Sequence, residues 1–269
     1  MTSAAVRVAA VIPARMRSSR FPGKPLVAFR GLPMIEHVRR RALLSEVFSE
    51  VVVATCDREI VEVVERAGGR AMMTSPDHPG ATDRVAEAVT HLDCTHVVNV
   101  QGDELLVPPD DLRRMVQQIA EHPDVPAWNA VGPIESDDEL TDHAVVKLFL
   151  SRHDRVIFCA RRVESGPVAG PAYEPVRKSI GVMGYTRDFV QTFVRLPRTP
   201  LERATGIDQL RLVELDIPLQ AVQCARGYPK IDEPREVALV EACFEEDAAQ
   251  RAVLEQLRSP VAQPVTGSH

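Results

Sequence analysis

Three runs rich in valine and alanine, VRVAAVIPA (6–14), SEVVVATCD (49–57) and THVVNVQGDE (95–104), show no strict alternation of apolar and polar positions. They are too short for helices, and apolar character this continuous predicts strands of a parallel sheet buried on both faces. Between them the apolar positions recur at helical spacing. PMIEHVRRRALLSE (33–46) sets Ile35, Val38, Ala42 and Leu43 on one stripe behind a proline suited to a first helical turn. REIVEVVERAGG (58–69) ends in a Gly-Gly that stops a helix. Strand and helix in alternation predict an open α/β sheet with right-handed crossovers. After about residue 125 the pattern changes: GPIESDDELTDH (132–143) reads as polar and irregular, and VESGPVAGPAYEPV (163–176) as a Gly/Pro-rich loop. Strands are expected at 144–150, 155–162, 180–186 and 219–225, and helices at 187–195, 200–214 and 234–257. No sharp linker interrupts the chain, which predicts one domain over 1–258 and a disordered tail at 259–269.

Composition narrows the function. At 269 residues the chain is long enough to bury a full core, and no apolar run approaches the roughly 20 residues of a membrane helix. The short apolar N-terminus contains an arginine and runs straight into a motif, so a cleaved leader is not expected. A net charge of −6 argues against a general nucleic-acid or anionic-membrane binder. The few aromatics, Trp128 among them, form no stacking platform for bases. Five widely spaced cysteines without a C-x-x-C pair read as reduced structural thiols of a cytoplasmic protein.

Against that acidic background VIPARMRSSRFPGKPL (11–26) stands out, with Arg15, Arg17, Arg20 and Lys24 set among Pro13, Pro22, Gly23 and Pro25. Such a loop is either a solvated turn or a clamp for several oxyanions. Forked guanidinium groups and a compact ammonium suit phosphates, and Gly23 lets the backbone come close. NVQGDE (99–104) places Asp103 at the end of a buried strand, where a carboxylate is costly unless it binds a cation or accepts several hydrogen bonds. Magnesium is the natural guest, since it bridges one or two carboxylates to substrate phosphates. YPKIDEPREV (228–237) offers a second acid, Asp232, which is a helix cap, a metal ligand or both. Both motif loops leave the carboxyl ends of predicted strands, so they are expected to converge on one crevice.

Taken in order, the 11–26 loop, PMIEHV, VVVATCD, AGGRAMMTSPDHPGATDRVAEA, VVNVQGDELLVPP, GYTRDF, TPLERATGIDQLR and PKIDEPREV resemble the CTP-dependent sugar-acid nucleotidyltransferases. The specific resemblance is to the 3-deoxy-manno-octulosonate (Kdo) cytidylyltransferase family, over about residues 8–245. It implies a glycosyltransferase-A-like fold with an open, mixed and mainly parallel sheet flanked by helices. It also implies CTP and Mg²⁺ as ligands and a homodimer, with a nucleotide-binding half near 6–125 and an acceptor and dimerisation half near 126–258. By position, Arg15 and Lys24 match triphosphate-binding cations, Asp103 and Asp232 the metal-binding acids, and Gln101 a residue beside the reacting phosphate. Pro13, Ala14, Ser18, Arg20 and Gly23 fall in the same nucleotide-binding piece. Thr82 and Arg84 match a further nucleotide segment, in which Gly80-Ala81 replaces the family's Ser-Gly.

The acceptor side departs from that pattern. SIGVMGY (179–185) puts Ser179 and Met183 where the family has a His and a Tyr that contact the sugar acid, while Arg161, Asp208 and Gln209 match acceptor positions. Exchanging Tyr for Met removes a hydroxyl, which points to a different or smaller anionic acceptor: Kdo, a modified sugar acid, or a phosphonate activated as its CMP conjugate. Two other readings are transfer of another nucleotide to a sugar phosphate and a non-catalytic nucleotide binder. The retained Lys24, Asp103 and Asp232 weigh against the latter. Lys178 and Arg177 are equally a solvated edge or a pocket wall.

Overall fold

The computed structural model describes residues 5–17, 20–164 and 175–258. Its strands, in chain order, are β1 (Val8–Ala14), β2 (Ala28–Phe29), β3 (Leu32–Pro33), β4 (Glu50–Thr55), β5 (Arg70–Met73), β6 (His96–Val100), β7 (Ala127–Pro133), β8 (Lys147–Leu150), β9 (Val156–Ala160), β10 (Val176–Thr186) and β11 (Leu219–Gln223). The helices are α1 (Met34–Leu44), α2 (Arg58–Arg66), α3 (Ala81–Val89), α4 (Pro109–Glu121), α5 (Asp137–Thr141), α6 (Arg187–Phe193), α7 (Pro200–Thr205), α8 (Gln209–Glu214), α9 (Val237–Glu246) and α10 (Ala248–Arg258).

The main sheet runs β11-β7-β10-β6-β1-β4-β5, with β8 and β9 added beside β10. β1 pairs in parallel with β4 on one side and β6 on the other, and β5 continues the parallel run. β10 is antiparallel to both β6 and β7, and β11 returns to a parallel pairing with β7. Every residue of β1 is buried. Val8, Ala10 and Ile12 pack into one core layer, while Ala9 and Val11 pack into the other, so the strand needs apolar residues on both faces. After β5 the chain returns to the opposite side of β1, and this reversal opens a crevice at the carboxyl ends of β1 and β6.

Several expected elements take different bounds. The expected helix at 200–214 is two helices, broken where Gly206 adopts φ 66° in the left-handed region, a conformation glycine takes without steric cost. The expected helix at 234–257 is a short 3₁₀ turn followed by α9 and α10. Asp247 separates the last two, its carboxylate accepting the Ala249 and Gln250 N–H groups at 2.7 and 3.1 Å. β7 (AWNAVGP) is an interior strand where none was expected, because its Asn, Gly and Pro hide a segment whose burial comes from neighbours far along the chain. The expected tail and most of the Gly/Pro-rich loop lie outside the described residues. All five cysteines are free thiols.

Candidate active site

Gly23 takes φ 76°, and its N–H donates to Met16 O at 2.9 Å, turning the basic loop back across the end of β1. The following 3₁₀ turn carries Lys24 inward. Its ammonium donates to Asp103 Oδ2 at 3.0 Å and Ile231 O at 2.7 Å, and lies 3.6 Å from Asp232 Oδ1. Arg20 meets the same Asp232 oxygen at 3.0 Å, and Lys230 approaches the other at 3.6 Å. Arg20, Lys24, Asp103, Lys230 and Asp232 thus meet in one ion cluster. Gly102 lets the 101–103 turn approach β1 closely: a Cβ there would stand 2.9 Å from Pro13 O.

A cavity of about 260 Å³ opens over this cluster. Pro13, Ala14, Arg15, Arg20, Lys24, Arg84, Gln101, Asp103 and Asp232 line it, as do His78, Gly80 and Ala81. Gly23 shapes the loop without lining the cavity, and Ser18 lies outside the described residues. Thr82 does not line the cavity either; it is buried beside Tyr185. Arg84 is held by Thr74 Oγ1 and by the Cys56 sulfur at 3.5 Å. His78 is bonded to Glu87 at the cavity rim.

The electrostatics are one-sided. Burial acts to raise the Asp232 carboxyl, but Lys230, Lys24 and Arg20 together overcome it and hold the group below the usual carboxylate range. Burial lowers Lys230, yet the Asp103, Glu104 and Asp232 carboxylates raise it above the ordinary lysine value. Asp103 Oδ1 is buried without a hydrogen-bond partner. An orphaned carboxylate oxygen beside a second carboxylate is a donor set that suits a hard divalent cation.

A second cavity of about 470 Å³ adjoins the first, and Gln101 and Asp232 line both. Arg161, Ser179, Met183, Asp208 and Gln209 all line this second space. Arg161 donates to the Thr205, His143 and Gly206 carbonyls at 3.4, 3.3 and 3.2 Å, and makes no ion pair among the described residues. Ser179 Oγ donates to Asn129 Oδ1 at 3.2 Å, and Gln209 Nε2 to the same oxygen at 3.0 Å. Met183 is buried, its sulfur accepting the Tyr185 hydroxyl at 3.2 Å. Burial and nearby Glu202 raise the Asp208 carboxyl. Lys178 is buried and paired with Glu139, and is a pocket wall. Sequence reasoning missed Asn129, Lys230 and Glu104, whose buried carboxyl is pushed up to about 7, first by desolvation and then by Asp103. For Asn129 no local signal exists. For Glu104 and Lys230 the signal was adjacency to the two aspartates.

The cytidylyltransferase family model matches residues 9–217. The 3-deoxy-manno-octulosonate cytidylyltransferase of Syntrophotalea carbinolica is 37% identical over 243 residues, covering 87% of this chain and 97% of that protein. The chain belongs to the cytidylyltransferase family. The 8-amino-3,8-dideoxy-manno-octulosonate cytidylyltransferase of Shewanella piezotolerans is likewise 37% identical, over 88% of this chain and 98% of that one. Among solved structures, CMP:2-keto-3-deoxy-manno-octonic acid synthetase complexed with CTP superposes with a TM-score of 0.83 at 32% identity, covering 90% and 99% of the two chains. The mixed, mainly parallel sheet flanked by helices is therefore the nucleotidyltransferase fold of this family. Among the described residues no helix is long and apolar enough to cross a membrane.

Proposed function

We propose that this cytidylyltransferase transfers CMP from CTP to a Kdo-like sugar acid and releases pyrophosphate. The observation that carries the reading is the sharing of Gln101 and Asp232 by two adjoining cavities, one rimmed by the cations Arg15, Arg20 and Lys24 and the other lined by Arg161, Lys178 and Lys230 together with polar Ser179 and Gln209 and carboxylates such as Asp142 and Asp208. The relatives are named for sugar-acid acceptors, Kdo and its 8-amino form, and these favour a sugar acid over a phosphonate.

In this reading Arg15, Arg20 and Lys24 grip the triphosphate, and Lys24 and Arg20 exchange their bonds to Asp103 and Asp232 for phosphate oxygens as CTP enters. Pro13, Ala14, Gly23, Thr82 and Arg84 shape the nucleotide side. Asp103 and Asp232 would hold Mg²⁺, which neutralises charge on the phosphates when bound. Gln101, standing between the cavities, orients the α-phosphate toward the acceptor. Arg161 holds the acceptor carboxylate, and Ser179, Gln209 and Asp208 meet its hydroxyls, with Met183 as an apolar wall. The acceptor oxygen attacks the α-phosphorus in line, pyrophosphate departs onto the cationic loop, and no covalent enzyme intermediate is required.

Residues 1–258 form one catalytic unit in this reading, with nucleotide contacts mainly from 6–125 and acceptor and dimer contacts from 126–258. Exposed Ile157 and Phe158 on edge strand β9 supply an apolar surface for a second copy, so the working form is a homodimer. CTP supply places the reaction in the cytoplasm. The test is pyrophosphate release from CTP with Mg²⁺ against Kdo, 8-amino-Kdo, sialic acid and small phosphonates, with ATP, UTP and GTP as controls. Turnover with a Kdo-type acid is expected; turnover only with a phosphonate, or with no acid and CTP, would overturn the assignment.

A further inference from the structure

The hydrogen-bond register of β10 shifts relative to β7 between Ser179 and Met183, leaving the 180–182 backbone out of that ladder beside the end of β6. A bulge of this kind needs other partners for its peptide groups. Here they come from two sides. Asn129 Nδ2 donates to Ile180 O at 3.2 Å. Gln101 N donates to Gly181 O at 2.8 Å, and Glu104 Oε1 accepts the Gly181 N–H at 2.7 Å. The turn closes on itself through Glu104 N donating to Gln101 O at 3.0 Å. Gly181 is therefore held at both its N–H and its C=O by the two ends of the turn that carries Asp103.

The fit leaves no room for a side chain. A Cβ on Gly181 would stand 2.6 Å from Glu104 Oε1, 3.0 Å from Glu104 Cγ and 3.1 Å from Gln101 Cβ. Glu104 is buried, 6% exposed, and lines the 470 Å³ cavity, as do Ser179, Gly181 and Met183. Its side chain is thus a physical tie between the acceptor wall and the turn bearing Gln101 and Asp103.

We propose that Glu104 is a positioning residue: by accepting the Gly181 N–H it fixes the β10 bulge, and so sets the acceptor wall at a working distance from the Gln101–Asp103 turn. This rests on the cytidylyltransferase reading above. The function lies in the hydrogen-bond acceptor, not in the charge, so a glutamine that keeps an oxygen at that place preserves it. Loss of the tie leaves CTP contacts from the 15–24 loop intact but lets the acceptor wall drift, and small misplacements of reacting groups cost rate steeply.

The experiment compares wild type, Glu104→Gln, Glu104→Ala and Gly181→Ala. Acceptor kcat/KM is measured with Kdo and 8-amino-Kdo, CTP binding with Mg²⁺ by calorimetry, and amide exchange at Gly181 by NMR. Glu104→Ala is expected to lower acceptor kcat/KM by about 30-fold or more while the Kd for CTP moves less than about threefold, and Glu104→Gln to restore activity to within about threefold of wild type. Gly181→Ala breaks the same tie from the other side, its Cβ displacing the Glu104 carboxylate while residue 104 stays a glutamate, and gives the same acceptor-specific loss, so the proposal stays open to refutation if Glu104→Ala does not fold. An unchanged Glu104→Ala, an equal loss of CTP binding, or a Glu104→Gln as defective as alanine would each overturn it. A wild type that turns over neither acid would fail the cytidylyltransferase reading instead. The tie is then decided by exchange alone: Gly181 must exchange at least about tenfold faster in Glu104→Ala than in Glu104→Gln, and equal rates would overturn it.

Discussion

His37 on α1 offers the sharpest test of the packing beneath the nucleotide loop. Its ring is fully buried, Nε2 donates to Phe29 O at 2.8 Å, and Nδ1 has no partner. The ring lies between Phe29 and Phe244, with centroids 6.5 and 5.4 Å away. Desolvation lowers its pKa to about 4, so the fold holds it neutral. The unfolded chain titrates it near 6.5, and so binds more protons between those two values. Stability from this group is complete above about pH 6.5 and is lost as pH falls toward 4; at pH 5 the loss is about 2 kcal/mol. Replacing His37 with Phe keeps an apolar ring and removes the titration, at a cost of about 1 kcal/mol for the lost hydrogen bond. Wild type should therefore lead His37→Phe by about 1 kcal/mol at pH 7 and trail it by about the same at pH 5. Urea unfolding across pH 4.5–7.5 measures both, and the difference isolates His37 from the other acids and histidines that titrate in both proteins. Curves that run parallel, with no crossing, would show that the ring is not held neutral and refute the reasoning.

Asp103→Asn removes one carboxylate from the pair around Lys24, and turnover should fall by about 10³-fold with the fold intact by circular dichroism; near-normal activity would remove Asp103 from the metal role. Arg161→Ala should raise the KM for a Kdo-type acceptor about 10- to 100-fold and leave the KM for CTP unchanged, because Arg161 lines the 470 Å³ cavity and not the 260 Å³ cavity over the ion cluster. Ser179→His with Met183→Tyr should improve kcat/KM with Kdo, and no gain would mean that the Asn129–Gln209 pairing, as well as these two side chains, sets acceptor choice.

The parallel core and the crevice were legible in the chain because their causes are local. Continuous Val runs mark strands buried on both faces, and the two motif loops end such strands, so Lys24, Asp103 and Asp232 were expected together and are within one hydrogen-bonded cluster. The acceptor side was less legible because it depends on pairing across the chain. β7 carries Asn129, which reads as a turn residue, yet its amide organises Ser179 and Gln209, which lie 50 and 80 positions away. The breaks at Gly206 and Asp247 had visible markers, a glycine and a capping acid, inside stretches whose apolar periodicity runs on through them. Thr82 has Tyr185 as a neighbour in space, a residue no local pattern links to it.

The ion cluster joins a lysine near the beginning of the chain to a carbonyl and a carboxylate more than 200 positions later, through Ile231 and Asp232. Its closure is therefore a property of the finished molecule. A ribosome-bound chain not yet extended through residue 232 has the basic loop but only one of the two acids, so closure of the cluster would report that synthesis and folding have passed that point. By the same linkage, a ligand bound at this cluster as proposed would act as a clasp on the whole chain, raising the cost of opening any segment between the loop and Asp232.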